Sequence, residues 1–307
     1  MLSATRYHEA MHLEAEQLAA ELESCPICGS RGPRRPAGRI QSDPSVHLLS
    51  CPNCGGCSAS HMPIPQVLEA YYDGYYRGDG PRVTLAQVHR FVNNLVRVIA
   101  FERRPGPLRL LDFGGGDGTI GLAVALRILE EMPERQVQFV LVDYEHPCAF
   151  EPHARLEVLH QRSLDRVKGP FDLVLAGAVL EHIPELRSTL EQLFGKLGPG
   201  GWFYARTPYV VPLKRLLPSL DITYPGHVHD LGAPFWNRVP RTYALPLRVV
   251  VSRPSLVETH WLRQPARTVL AWLMKLPARI ELAGPAYPRT PWWRLVGGWE
   301  VILQRAA

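Results

Sequence analysis

Leu110-Leu-Asp112-Phe-Gly114-Gly-Gly116-Asp-Gly118-Thr-Ile-Gly121 is the stretch whose reading decides the fold of this chain. The run from Leu108 to Phe113 is apolar and long enough for one buried strand of a parallel sheet. Gly114, Gly115, Gly116 and Gly118 follow, a turn nearly bare of Cβ atoms, so a ligand can lie against its backbone. From Thr119 to Glu131 the residues Ile120, Val124, Leu126, Ile128 and Leu129 fit a buried helix. The free N–H groups at its start face whatever occupies the turn.

The strand signal recurs downstream. Val137 to Val142 is a second apolar run, ending in Asp143-Tyr144, 25 residues after Gly118. An ionised carboxylate only accepts hydrogen bonds, so at a strand tip it suits a pair of ribose hydroxyls, with Tyr144 placed to flank an adenine. Leu156 to His160 is a weaker third strand, with Ser163, Leu164 and Asp165 in the loop after it. Phe171-Asp-Leu-Val-Leu-Ala176 is a fourth, running into Gly177-Ala-Val-Leu180-Glu181-His182-Ile-Pro184. Leu197-Gly-Pro199-Gly200-Gly201 precedes a fifth strand, Trp202 to Thr207. Leu247 to Val251 and Glu300 to Leu303 supply the last two, expected to close the sheet as an antiparallel edge.

Gly116-x-Gly118-x-x-Gly121 matches a dinucleotide fingerprint, a weak signal by itself. The longer Asp112-x-Gly114-x-Gly116-x-Gly118 is followed in order by Asp172-Leu-Val-Leu, Leu180-Glu-His-Ile-Pro and Leu197-x-Pro-Gly-Gly. Together these motifs resemble the small-molecule branch of class I S-adenosylmethionine (SAM)-dependent methyltransferases, over residues 108–207. The resemblance implies an α/β fold with a doubly wound, seven-stranded Rossmann-like sheet. It also implies a SAM site at Asp112, Gly114, Gly115, Gly116, Asp117, Gly118, Asp143, Tyr144, Ser163, Leu164, Ala176 and Gly177. The charges agree: Asp112 and Asp117 repel a pyrophosphate and attract a sulfonium with an ammonium group.

Upstream lie Cys25-Pro-Ile-Cys28-Gly and Cys51-Pro-Asn-Cys54-Gly, separated by the 22 residues 29–50. Each unit is a tight knuckle that presents two thiolates, and two knuckles make a four-sulfur tetrahedral zinc site. Cys57 and His61 are alternative ligands, and a redox pair is disfavoured because the two units repeat each other. Ile40, Val46, Leu48 and Leu49 fit a small hairpin between the knuckles. A module this small has no adequate core, so the zinc is expected to be structural. Arg31, Arg34, Arg35 and Arg39 in its loop read as a solvated basic face.

The remaining segments are less specific. Residues 5–23 read as a helix rich in Ala, Leu and Glu. It holds His8-Glu-Ala-Met-His12, a formal H-E-x-x-H match with no third ligand in view, and so is read as a solvated helix face. Tyr71, Tyr72, Tyr75 and Tyr76 either line a pocket mouth or pack between the zinc module and the next domain. Residues 84–104 give an amphipathic helix through Val88, Phe91, Val92, Leu95, Val96, Val98 and Ile99. Tyr224-Pro-Gly-His227-Val-His229-Asp230 is similar to the Glu-His-x-x-x-Phe-Ser element of bacterial sugar and natural-product methyltransferases, some of which also carry an N-terminal four-cysteine zinc module. Gly226 stands where that element has glutamate. The resemblance puts a histidine beside the acceptor, and an imidazole of pKa near 6.5 suits a base. His227, His229 and His182 are the candidates. Arg263, Arg267, Lys275 and Arg279 border the apolar Val269 to Leu276 in a segment read first as packing.

The expected organisation is an N-terminal helix (1–24), a zinc-ribbon module (25–62), a linker with a helical lead-in (63–106) and a methyltransferase domain (107–307) whose residues 208–298 form the acceptor and cap region. The expected activity is methyl transfer from SAM to an oxygen or carbon of a small molecule such as a sugar, glycan precursor or natural-product intermediate. Two alternatives stand beside it: an RNA methyltransferase that grips RNA with the zinc ribbon, and a non-catalytic SAM-binding scaffold. Nucleic acid is the less expected partner, because Ala176-Gly-Ala-Val179 stands where base-amino methyltransferases carry Asn/Asp-Pro-Pro-aromatic. A net charge of +5 is too small to argue otherwise. No secretory signal is visible, nor any run near the roughly 18 apolar residues of a membrane span, so a cytoplasmic protein is expected. The oligomeric state stays open.

Overall fold

The computed structural model describes residues 8–77, 88–99, 101, 106–144, 150–216, 218–255, 266, 269, 273 and 297–307. Apart from its three isolated positions, the 261–296 segment lies outside them, as do residues 84–87 of the lead-in helix and the side chain of Tyr76.

In chain order the elements are β1 (Arg35–Gln41), β2 (Val46–Ser50), β3 (Cys57–Ala59), α1 (Pro65–Arg77), α2 (Val88–Val98), β4 (Leu108–Phe113), α3 (Thr119–Glu131), β5 (Val137–Val142), β6 (Leu156–Gln161), β7 (Phe171–Gly177), α4 (Leu186–Gly195), β8 (Leu197–Tyr209), α5 (Val211–Leu216), β9 (His229–Asp230), α6 (Ala233–Trp236), α7 (Val239–Thr242), β10 (Leu247–Pro254) and β11 (Gly297–Arg305). The large sheet has the order β10-β11-β8-β7-β4-β5-β6. The five strands from β4 to β8 are parallel, and β11 runs antiparallel to both β8 and β10. The two last strands therefore close one side as expected, but the final strand is inserted and β10 takes the edge.

The parallel strands are apolar on consecutive residues because both faces are covered, and successive side chains point to opposite faces. Leu110, Phe139, Leu141, Leu173 and Leu175 pack with α2 and α3 on one face. Leu111, Val140, Val142, Val174 and Ala176 pack with α4 on the other. Each fully buried Leu or Phe contributes about 1.5–3 kcal/mol, so a layer on either side of one sheet supplies the core. In α2, Phe91, Val92, Leu95 and Val96 are the buried stripe that the periodicity predicts.

The N-terminal segment departs from expectation. Over residues 8–24 only Ala15–Gln17 forms a short 3-10 turn, and no α-helix is present. The backbone hydrogen bonds go to distant partners instead: Met11 N to Tyr224 O at 2.8 Å, Ala19 N to Met62 O at 2.8 Å and Leu22 N to Ser60 O at 3.1 Å. Gln41 brackets Leu13, accepting from its N–H at 3.2 Å and donating to its carbonyl at 2.8 Å, and Leu13 is fully buried. Tertiary partners outweigh a helix propensity worth only tenths of a kcal/mol per residue.

The four-cysteine segment is not a bead on a string. Its sheet has the order β1-β2-β3-β9, and β9 comes from the region after the fifth strand of the large sheet. Cys57 pairs with Asp230 and Ser58 with His229 in that junction. Cys25, Ile27, Cys51 and Cys54 share one buried cluster with Leu180, Leu186, Phe235 and Trp236. No helix among the described residues is long and apolar enough to cross a membrane.

Candidate active site

The carboxyl ends of β4, β5 and β7 open into a cleft of about 1840 Å³. A single small-molecule site occupies about 300–1,000 Å³, so there is room for a cofactor and an acceptor together. Of the residues expected to hold SAM, Asp112, Gly114, Gly115, Gly116, Asp117, Asp143, Tyr144, Ser163, Leu164 and Gly177 line it. Gly118 and Ala176 do not. Gly118 precedes the first residue of α3 with its face toward Leu141, and Ala176 is fully buried within β7.

Two glycines have conformational reasons to be where they are. Gly114 sits at φ +65°, and a Cβ there would lie 2.2 Å from Val179. Gly116 sits at φ +60° with nothing within 4 Å, so a Cβ would stand in the ligand's space. The turn is fixed by Gly114 N donating to Val142 O and Gly116 N donating to Asp143 Oδ2, both at 2.8 Å. The Asp117 carboxylate accepts from Thr119 N at 3.0 Å, holding the start of α3.

Asp112 is the electrostatic focus. It is 3% exposed, and its Oδ2 has no hydrogen-bond partner. Burial first, and the Asp143 and Asp117 charges after it, push its carboxyl up to about 7, although the Gly121 backbone N–H pulls the other way. A buried carboxylate with an orphaned oxygen and two acidic neighbours calls for a cationic ligand. SAM fits that demand, with its sulfonium and ammonium groups, and the chain's carboxylates and bare glycine backbone would hold it.

The four knuckle cysteines also converge as expected. Cys25 Sγ lies 3.8 Å from Cys54 Sγ, and Cys28 Sγ lies 3.8 Å from Cys51 Sγ. A tetrahedral zinc with Zn–S bonds of about 2.3 Å has edges of about 3.8 Å, so the donor set fits the ion. Asn53 donates to Cys28 Sγ at 3.6 Å, a supporting N–H of the kind that orients thiolate ligands. Cys57 is buried in β3 against Asp230 and His61 bonds Ser60, so neither joins the cluster.

The three candidate histidines separate. His182 lines the cleft, and its Nδ1–H donates to Gly226 O at 2.6 Å. His227 stands against it, with ring centroids 4.8 Å apart. His229 belongs elsewhere: its Nε2–H donates to Ile183 O at 2.8 Å, its other ring nitrogen is buried without a partner, and it does not line the cleft. Its backbone is committed to pairing with β3, which fixes the ring under the 180–184 turn. Burial lowers all three, His182 to about 3 and His229 to about 4, with His227 well below its ordinary value.

Sequence reasoning missed His8. The expected solvated helix face is absent, and His8 lies in the site. Its ring is 4.7 Å from that of His182, 5.3 Å from that of His227, and stacked on Tyr75 at 4.8 Å and 11°. Tyr72 and Tyr75 line the cleft, which decides for the pocket mouth over simple packing. Tyr72 Oη donates to the same Gly226 carbonyl that His182 uses, at 3.3 Å. Only the aromatic density of 71–76 signalled this wall; nothing local signalled that His8 would meet it. Arg206 and Phe91 are further cleft residues that no motif marked.

Over 112 residues the chain is 32% identical to the tRNA 5-carboxymethoxyuridine methyltransferase of Escherichia coli strain K12, covering 35% of this chain and 42% of that protein. The chain thus spans about two fifths of the length of the curated relatives it matches. Among solved structures it is similar to the plantazolicin methyltransferase BpumL in complex with a triazolic desmethylPZN analog and SAH, with a TM-score of 0.43 and 13% identity over 79% of this chain and 91% of that one. Coclaurine N-methyltransferase bound to N-methylheliamine and SAH gives a TM-score of 0.40 and 14% identity, over 74% and 76% of the two chains. The family described as a methyltransferase domain matches residues 84–241, just over half the chain, which contains every strand from β4 to β9. With that match over more than half its length, the chain belongs to this family of methyltransferase domains.

Proposed function

We propose that the chain methylates an oxygen or carbon atom of a small molecule, such as a sugar, a glycan precursor or a natural-product intermediate, in the half of the cleft walled by His8, Tyr72, Tyr75 and His182. The observation that carries this reading is the size of the cleft together with its division. Carboxylates and glycines lie at one end, and aromatic rings with neutral imidazoles at the other.

SAM, when bound, supplies an electrophilic methyl on a positively charged sulfur. Asp112, Asp117 and Asp143 concentrate negative charge where that cation would lie. Asp143, at the tip of β5, would meet the ribose, and the exposed ring of Tyr144 would meet the adenine face. The imidazole of His182, held by the Gly226 carbonyl with the Ala178 carbonyl also against the ring, presents a fixed ring edge for the acceptor to contact. That contact, with the tyrosine wall, aligns the acceptor for in-line attack, and alignment is the larger part of the enzyme's work when the leaving group is neutral.

A second reading has a specific observation behind it, the partial identity to a tRNA methyltransferase. RNA bound through phosphates weakens steeply with salt, whereas a small uncharged acceptor does not. The experiment that tests the main reading is calorimetric titration of the zinc-replete full chain with SAM, with its demethylated product and with NAD. Binding of SAM or product, lost in Asp143→Ala, is expected. Binding of NAD alone would sink the reading.

A further inference from the structure

We propose that His8, His182 and His227 form a second metal site, for a divalent transition-metal ion of the kind imidazole prefers, open on its fourth side to an oxygen atom of the acceptor. The proposal rests on the reading that an acceptor enters this half of the cleft.

The three rings come from segments far apart in the chain, yet one nitrogen of each lies within 4.8 Å of the other two. A tetrahedral ion with metal–nitrogen bonds of about 2.0–2.1 Å needs nitrogens about 3.3 Å apart. Ring rotations that close a gap of at most about 1.5 Å would complete the shell. His182 gives its Nδ1–H to the Gly226 carbonyl, as second-sphere carbonyls do for ligating histidines, and an ion on Nε2 would have to displace the Ala178 carbonyl that also lies against the ring. His8 is steadied by Tyr75 stacked on its face, and the Tyr71 hydroxyl lies 3.4 Å from its Nδ1. The ring of His227 has no hydrogen-bond partner among the described residues and is 8% exposed.

Three crowded imidazoles are poorly explained as packing. Phenyl or leucyl groups would fill the same space without the cost of desolvating ring nitrogens. They are also poorly explained as three bases, because each proton taken up would repel the next across less than 6 Å of ring separation. Neutral imidazoles with free lone pairs are, however, what a dication requires. The Glu181 carboxylate, whose Oε1 is 3.9 Å from His182 Nε2, would offset part of the ion's charge. Because His8 and His182 both line the cleft, the open position faces the acceptor. An ion there would grip an acceptor hydroxyl and lower its pKa, which the imidazoles alone do weakly.

The test uses the full chain, stripped with chelator and titrated with Co²⁺ under equilibrium dialysis. The unmodified protein should take up two equivalents. One brings the thiolate-to-cobalt absorption of the four-cysteine site, and the other adds visible absorption without it. His8→Ala and His227→Ala should each take up one equivalent, with the thiolate band and SAM affinity unchanged, and His12→Ala should keep two. His8→Ala decides the matter should His227→Ala fail to fold. A single equivalent in the unmodified protein, or two in His8→Ala, would overturn the proposal. Calorimetry with SAM on the same samples separates the two levels of inference. One equivalent of cobalt with SAM binding leaves the methyltransferase reading standing and removes the second metal. Two equivalents without SAM binding does the reverse.

Discussion

The two ends of the cleft are built in opposite ways. The cofactor end is local: Asp112 to Thr119 supply an acid, a glycine turn and a helix start from one unbroken stretch, and Asp143 joins from the adjacent strand β5. The acceptor end is assembled from pieces. His8 comes from the N-terminal segment, Tyr72 and Tyr75 from α1, His182 from the turn after β7 and His227 from the residues before β9. What brings these pieces together is the sheet of the four-cysteine module, since β3 pairs with β9 and residues 11, 19 and 22 are hydrogen-bonded to residues 224, 62 and 60. A site made by local chain geometry should survive losses that dismantle a site made by docking.

The largest effect should therefore come from the metal knuckles. A structural zinc contributes on the order of 10–16 kcal/mol to its module, so Cys51→Ser should abolish zinc uptake at the cluster and methyl transfer with it. Metal analysis and an activity assay would read this. If the two ends are separable, SAM affinity should stay within about threefold of its starting value, as for weakly coupled sites. A parallel loss of SAM binding would show that the docked half also holds up the local one.

Within the cofactor end, Asp143→Ala should weaken SAM about 100-fold, or roughly 3 kcal/mol, because charged hydrogen bonds to ligand and to Gly116 are lost together. Calorimetry gives the number, and a change in acceptor affinity of the same size would blur the division between the ends.

A smaller effect is expected from pH. The free Asp112 carboxyl is raised to about 7, so below that pH it takes a proton and loses the charge that a cationic ligand needs. SAM affinity should then rise with pH up to about 7 and level off above it, changing about tenfold per unit on the acidic side. Asp112→Asn should flatten this profile; a slope that survives the substitution would place the titration elsewhere. The smallest effect belongs to Tyr144, which is 76% exposed. Tyr144→Ala should raise the SAM dissociation constant about three- to tenfold, the worth of one aromatic contact.

The contrast also explains what could be read in advance. Strands β4 to β8, the glycine turn and Asp143 were legible because a strand, a turn and a helix start each declare themselves within ten residues. The knuckles were legible because metal spacing is local too. His8 was misread with His12 as a pair on one helix face, since that is the only geometry a four-residue spacing suggests. His229 looked as eligible as His227 because strand β9 is two residues long and is defined by pairing with a strand 171 to 173 positions earlier.

The sequence by itself thus determined the α/β class, the cofactor end and the four-cysteine cluster, because each is set by short-range periodicity, backbone freedom or ligand spacing. Only the tertiary structure decided that the ribbon continues into the methyltransferase domain, that residues 8–24 are irregular rather than α-helical, and which histidines meet. Those outcomes depend on which buried backbone groups find partners and which apolar faces cover each other. That competition is settled between segments many tens of residues apart.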